Sequence, residues 1–274
     1  MKKITVTKDV LIQKLNSGRN KEEIAIDLGI SRPTLNNLIK NYAVENEYTY
    51  NCLLHSKRIS CNITFFDKID TEEKAYVLGF FLADGWITSD GKNVGFAVRD
   101  IDIDVLQKIQ TVIRHTGKLR KYLNGSNNKM VELRVGSKYL VKALTALGIS
   151  VNKSFTADIP KNMPSNLIPS LLRGLFDGDG SFSGGVPILA TCSLPLKESI
   201  ENYCNTVYGE NPSDYSQLRE DGTTAYRLGF KKDLTPLLDD MYKNHSIGMS
   251  RKYKSYINYR IKKSTEAEDK KPQR

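Results

Sequence analysis

Two aspartates are the first candidates for chemistry in this chain of 274 residues. Asp84 and Asp179 stand about 95 positions apart, and each is followed by glycine. Each closes an apolar run of helical character, Tyr76 to Ala83 in the first case and Leu171 to Phe176 in the second. A carboxylate at the C-terminal end of a helix lies by the negative end of the helix dipole. Two such groups brought together repel each other by about one to a few kcal/mol, and a divalent cation removes that conflict. Oxygen ligands with room left for water and phosphate favour magnesium over zinc.

The elements that must position this pair can be read around it. Asp70, with Glu73 three positions on, reads as a capping box, so Thr71 to Asp84 is predicted helical with Gly85 just past its end. The second helix ends at Gly180, and Pro169 lies near its start. Gly79 and Ala83 are four apart, as are Gly174 and Gly178. Small residues at that spacing leave a shallow groove along one face, so two such helices can pack closely. Packed across a pseudo-two-fold axis, they bring Asp84 and Asp179 together.

The segments after the two helices match in order. After Asp84-Gly85 come strands from Trp86 and over Asn93 to Val98, then a helix with Val105, Leu106, Ile109 and Ile113 in phase. Strands over Leu119 to Asn124 and Met130 to Val135 follow, then a helix through Leu140, Leu144 and Leu147. After Asp179-Gly180 the series recurs: strands over Ser181 to Gly184 and Pro187 to Thr191, and a helix through Ile200, Tyr203 and Val207. It closes with strands near Tyr215 to Arg219 and over Ala225 to Phe230, and a helix through Leu234, Leu237, Leu238 and Met241. The fold class is therefore α+β, with two pseudo-symmetric αββαββα repeats joined by the loop from Gly148 to Pro169. A unit present twice is a fused pseudo-dimer rather than a solenoid. In Met130 to Val135 the alternation buries Val131, Leu133 and Val135 and turns Glu132 and Arg134 outward; Arg227 is turned outward in the second repeat. A twisted, saddle-like antiparallel sheet with such a polar face can follow a major groove.

Residues 9 to 41 have the rhythm of three short helices, with apolar faces Val10, Leu11 and Leu15, then Ile24, Ala25 and Leu28, then Leu35, Leu38 and Ile39. Gly29 suits the positive φ of a tight turn, Ser31 the cap of the third helix, and Pro33 its first turn. Through Glu22-Glu23-Ile24-Ala25, Leu28-Gly29-Ile30-Ser31 and Thr34-Leu35, the segment resembles the helix-turn-helix of resolvase-like and related phage domains. That resemblance implies a third helix in the major groove, presenting Arg32, Thr34, Asn36, Asn37 and Lys40. Asparagine can pair with an adenine edge, and arginine or lysine with guanine or phosphate. The alternative is a three-helix bundle used for protein contact.

The net charge of +10 points to a polyanionic partner, with nucleic acid ahead of a membrane surface because no basic amphipathic helix stands out. No run of about 18 apolar residues exists, so no membrane span is expected. The start has two lysines but no apolar stretch after them, so no signal peptide is expected. Cys52, Cys61, Cys192 and Cys204 lack C-x-x-C spacing and read as reduced thiols in a cytoplasmic compartment. Cys52, His55 and Cys61 lack a fourth zinc ligand at sensible spacing. Asp100, Asp102 and Asp104 precede a helix and read as capping groups, without the Gly and Glu of an EF-hand. The expected organisation is a helix-turn-helix domain over 1–41, a linker over 42–69, repeats over 70–150 and 151–262, and a charged, disordered tail over 263–274.

With both Asp-Gly helices heading matching repeats, residues 70 to 262 resemble the LAGLIDADG homing endonucleases in their single-chain, two-motif form. The resemblance implies that Asp84 and Asp179 are the catalytic metal ligands, joined by the backbone carbonyls of Ala83 and Gly178, with two or more magnesium ions. It implies a basic residue in each site after the last helix of the repeat, which Asn152-Lys153-Ser154 and Arg251-Lys252-Tyr253 supply as Lys153 and Lys252. The chain departs from the family pattern at Leu82, where many members carry an acid; Asp177 holds the matching place in the second motif. That position is not the metal ligand, so the departure makes the halves unequal without removing activity. The implied activity is double-strand cleavage of a long, non-palindromic DNA target by a monomer, leaving short 3′ overhangs. The alternatives are a non-cleaving transcription regulator and an RNA maturase. A splicing intein is not expected, because no nucleophile stands at the start and no His-Asn at the end.

Overall fold

The computed structural model describes residues 6–17, 19, 21–44, 59–182 and 185–268. They fall into two compact units, Met1–Ser60 and Cys61–Arg274.

The first unit holds three helices, α1 (Lys8–Leu15), α2 (Lys21–Asp27) and α3 (Arg32–Asn41), closed around Leu11, Leu15, Ile24, Ala25, Leu28, Leu35 and Ile39. Val6 and Val44 join this core, and the Tyr42 hydroxyl ties the two ends together by donating to the Val6 carbonyl at 3.0 Å. Val10, expected inside, is instead 41% exposed; the adjacent Leu11 takes the inward place at that turn. Gly29 adopts φ +65° between α2 and α3, and the Ser31 hydroxyl accepts from the Thr34 N–H at 3.3 Å to cap α3.

The second unit contains both repeats. In the first, α4 (Glu72–Asp84) leads into β1 (Gly85–Ile87) and β2 (Asn93–Arg99), then α5 (Ile103–Val112), β3 (Arg120–Leu123), β4 (Lys129–Gly136) and α6 (Lys138–Ala146). The strands form an antiparallel sheet in the order β1-β2-β4-β3. The second repeat runs α7 (Ile168–Asp179), β5 (Gly180–Ser181), β6 (Ile188–Thr191), α8 (Leu194–Tyr208), β7 (Ser213–Asp214), β8 (Gln217–Leu218), β9 (Thr224–Gly229) and α9 (Thr235–Tyr242). Its sheet is ordered β5-β6-β9-β7, with β8 also on β9. Both repeats thus follow the expected series, except that the strand predicted near 215–219 is split into β7 and β8, and Val207 is 51% exposed. The alternation is seen in Val131, Leu133, Val135, Leu228 and Phe230, which are buried, and in Arg134 and Arg227, which are exposed; Glu132, expected outward, is half-buried and pairs with Arg120 at 3.5 Å.

Four expectations need correction. The linker over 42–69 is too long, because Phe65, Phe66 and Ile69 are buried in the core of the second unit; the rings pack edge-on, Phe65 to Phe66 at 5.1 Å and Phe66 to Phe81 at 6.3 Å. Residues 263–268 are not a disordered tail but the end of a long helix, α10 (Ser250–Glu268). Its inward positions Lys252, Tyr256 and Tyr259 recur at helical spacing, and Lys263 pairs with Glu266 at 2.9 Å. The cap of α4 is Thr71, whose hydroxyl accepts from the Lys74 N–H at 3.3 Å, whereas Asp70 pairs with the Lys74 side chain at 2.8 Å. Asp102 occupies the N-cap position of α5 without making a capping bond, its carboxylate being taken by Arg251. Cys52 and His55 lie outside the described residues, and the Cys61 thiol donates to the Ile113 carbonyl at 3.5 Å.

His115 is 6% exposed, and neither ring nitrogen has a hydrogen-bond partner among the described residues. Burial lowers its pKa, so the folded chain binds fewer protons than the unfolded chain just below the ordinary histidine value. Stability contributed by the neutral ring is then complete above about pH 6.5 and is lost as pH falls. Replacing His115 by leucine is expected to shrink the drop in urea midpoint between about pH 7.5 and about pH 5.5; an unchanged drop would show that the ring is not buried neutral.

Candidate active site

Helices α4 and α7 lie side by side through the centre of the second unit. Residues Ala75 to Leu82 of α4 and Ser170 to Asp177 of α7 are buried without interruption, as befits helices covered on all sides. The four small residues sit at their contact: a Cβ on Gly79 would strike the Leu171 carbonyl, one on Gly174 the Tyr76 carbonyl, and one on Gly178 the Ala83 side chain. Gly79, Ala83, Gly174 and Gly178 thus lie where α4 and α7 touch. Gly85 and Gly180 end the helices in extended backbone, at φ −78° and −92°.

This packing brings the two helix ends together. A Cβ on Gly178 would lie 2.9 Å from a carboxylate oxygen of Asp84. Among the described residues, neither Asp84 nor Asp179 has a side-chain hydrogen bond or ion pair, and no group of three or more His, Cys, Asp or Glu residues is arranged to hold a metal. Burial pushes the Asp84 carboxyl from 3.8 up to about 6, and the negative charge of Asp179 adds to the rise against the pull of Lys153 and Lys252. Asp179 is more exposed, yet desolvation raises its pKa as well, with both lysines opposing.

The two lysines are the nearest cations and both are buried, at 8% and 6% exposure. Lys153 lies in a short 3-10 turn after α6 and donates to the carbonyls of Leu82 at 2.8 Å and Ala83 at 3.0 Å. Lys252 lies in α10, donates to the Gly180 carbonyl and stands 5.9 Å from the centre of the Phe176 ring. Burial lowers both amines, and the nearby aspartates pull them back up. The Ala83 carbonyl thus already serves Lys153. Four charged groups converge, arranged so that each ammonium is held by the backbone at a helix end and the carboxylates stay unpaired. Two oxyanions without hydrogen-bond or ion-pair partners among the described residues suit a hard divalent cation with water and phosphate as its other ligands.

Asp177, the acid set against Leu82 in the sequence, has a different part. It is completely buried and accepts from the Tyr76 and Tyr242 hydroxyls at 2.7 Å and from the Met249 N–H at 2.6 Å. Arg173, one turn earlier, donates to the Ile247 and Met241 carbonyls at 3.0 and 2.6 Å and pairs with Glu72 at 2.6 Å. Burial raises the Asp177 carboxyl, opposed by these donors. The pair ties α7 to the segment before α10.

The candidate DNA contacts are distributed unevenly. An open cleft of about 830 Å³ reaches from Ala83, Lys153 and Asp179 to Arg219 and Arg227. In the first sheet Trp86, Gly95 and Arg134 are partners across three strands. The Trp86 ring lies over Gly95, where a side chain would collide with it, and the Arg134 guanidinium stands 5.7 Å from the ring centre. The second sheet repeats the device, with the Tyr215 ring over Gly229 and the Lys231 ammonium 5.7 Å from it. Neither ring follows from the alternation of the strands; Gly95 in the middle of β2 is the sign of a close approach there, whereas Gly229 ends β9. In α3, Asn37 and Lys40 are exposed and Asn36 half-buried. Arg32 instead pairs with Glu22 at 3.2 Å, and the Thr34 hydroxyl bonds Ser31 at 2.7 Å, so these two are partly committed within the unit.

No family model matches the chain. Two curated proteins match part of it. The replication factor C small subunit of Methanocaldococcus jannaschii is 24% identical over 164 residues, 59% of this chain and 9% of that protein. The DNA polymerase of Acanthamoeba polyphaga mimivirus is 32% identical over 141 residues, 47% of this chain and 8% of that protein. The chain therefore spans less than a tenth of the length of the curated relatives it matches. Among solved structures, I-DmoI in complex with DNA and Ca is 12% identical at a TM-score of 0.48, covering 72% of this chain and 99% of that one. Full-length DUF199/WhiA from Thermatoga maritima is 12% identical at 0.46, covering 74% and 66%. The I-LtrWI LAGLIDADG homing endonuclease bound to target DNA is 13% identical at 0.43, covering 73% and 90%. LAGLIDADG homing endonucleases and WhiA are thus among the structural neighbours of this chain.

Proposed function

We propose that this chain is a site-specific, divalent-metal-dependent DNA endonuclease that cuts both strands of a long, non-palindromic target as a monomer. The observation that carries the reading is the unpaired couple Asp84 and Asp179 at the ends of two packed, repeat-related helices, each attended by a buried ammonium. The two carboxylates are the groups that would hold magnesium, which when bound supplies a Lewis acid at the scissile phosphate and lowers the pKa of the attacking water. Lys153 and Lys252 place positive charge where negative charge grows on the phosphate oxygens. Arg134 and Arg227, on the polar faces of the two sheets, would take up DNA, and Asn37 and Lys40 of α3 would give the first unit contacts of its own.

Exposure of the chain to a library of randomised duplex DNA with magnesium tests the reading. Cleavage at a defined site with short 3′ overhangs is expected, with binding but no cleavage in calcium. A protein that binds DNA and never cuts under magnesium or manganese would be a non-cleaving regulator instead.

A further inference from the structure

The N-terminal end of α10 is gripped by the first repeat. Arg251 donates from Nε to one oxygen of Asp102 at 2.8 Å and from Nη2 to the other at 2.9 Å, a two-point fork on a carboxylate that is 6% exposed. Asp104 accepts from the Ser250 N–H at 3.0 Å and from its hydroxyl at 2.5 Å. Lys108 bridges Asp104 at 3.0 Å and the Gly248 carbonyl at 2.7 Å. Gly248, Ser250 and Arg251 are thereby held by side chains from the opposite repeat, Met249 between them is held by Asp177 of α7, and the next residue is Lys252.

Among the described residues, the segment around Lys153 has no such ion-pair fork: it is held from the second repeat by hydroxyls, Ser193 donating to the Ala157 carbonyl at 2.5 Å and Ser199 to the Asp158 carboxylate at 2.5 Å, both beyond Lys153 in the chain. Lys153, in the loop that joins the repeats, is preceded by Asn152, whose side chain makes no hydrogen bond among the described residues, and its ammonium is held by α4 of the first repeat. Lys252 has one backbone carbonyl, that of Gly180, and its place depends on how α10 enters. A guanidinium fork fixes both distance and direction, which a single ammonium contact does not. Displacement of a catalytic group by about 1 Å can cost roughly 100-fold in rate.

We infer that Asp102 and Arg251 are positioning residues that set Lys252 from across the repeat boundary, so that cleavage of one strand depends on this ion pair and cleavage of the other does not. The inference rests on the double-strand endonuclease reading.

Duplex target labelled separately on each strand separates the possibilities. Asp102→Asn, which keeps the shape and removes the charge, is expected to slow one strand about 10-fold or more and the other by less than about 2-fold, so that nicked product accumulates. The slowed strand is expected to be the one slowed by Lys252→Met, and Lys153→Met to slow its complement. Arg251→Gln is expected to give the same bias, and the double variant with Asp102→Asn to be no slower than either single variant. If Asp102→Asn does not fold, Arg251→Lys, which keeps the charge without the fork, is expected to show the bias. Equal slowing of both strands, or an unchanged strand ratio, overturns the clasp while leaving the endonuclease reading intact. A wild-type protein that cuts neither strand overturns that reading and the clasp with it.

Discussion

Asp84→Asn is expected to abolish double-strand cleavage, by about 1,000-fold or more, and at the same time to make the protein more stable. The first effect follows from removal of one of the two carboxylates able to hold a cation. The second follows from the cost of keeping that carboxylate charged in the fold. Its pKa rises from 3.8 to about 6 through burial and the charge of Asp179, so the folded chain binds more protons than the unfolded chain between those values. Stability therefore falls as pH rises through that interval and stays reduced above it. A rise of that size corresponds to roughly 3 kcal/mol at most, and about 1 to 3 kcal/mol is the expected gain for the neutral amide at neutral pH. Urea unfolding without metal should show wild type and variant close together near pH 4 and diverging by pH 7. Added magnesium should narrow the gap by stabilising only the wild type. Equal midpoints across the whole range would mean that the Asp84 carboxylate is not strained by its surroundings.

What could be read in the sequence depended on whether a residue's role is local. Gly79, Ala83, Gly174 and Gly178 announce a close helix contact by spacing alone, and Asp84 and Asp179 follow because they end the same helices. Arg134 and Arg227 were legible from alternation, since a strand exposes every second side chain. The burial of Lys153 and Lys252 was not, because lysine ordinarily marks a surface; only resemblance to a family placed them at the site. The helix α10 was hidden for the same reason, its inward positions being Lys252, Tyr256 and Tyr259 rather than aliphatic residues. Phe65 and Phe66 form too short a run to show a period. Asp102 looked like a helix cap because its true partner, Arg251, lies 149 positions away, and no local pattern encodes such a contact. The α4 cap was misplaced by one residue because Asp70 and Thr71 are both good capping residues.

Gly174→Ala should be among the most damaging single methyls added to this chain. The new Cβ would meet the Tyr76 carbonyl and the Phe80 backbone nitrogen, and Gly79→Ala would meet the Leu171 carbonyl in the symmetry-related way. Backbone atoms inside a helix cannot rotate aside as a side chain can, so α4 and α7 must separate. Both helices are buried on every face, and separation loosens the core of both repeats at once. A loss of about 2 to 4 kcal/mol is expected for each substitution, at the high end of overpacking, despite the better helix propensity of alanine. The two losses should not add, because either methyl already forces the same displacement. Separation also moves Asp84 away from Asp179, so cleavage should fall even where the variant is fully folded. Gly125→Ala provides the comparison: nothing lies within 4 Å of a Cβ there, and the expected change is within about 0.5 kcal/mol. Urea unfolding of the three variants decides the matter, and a Gly174→Ala protein within about 0.5 kcal/mol of wild type would mean that the helices do not approach to backbone contact.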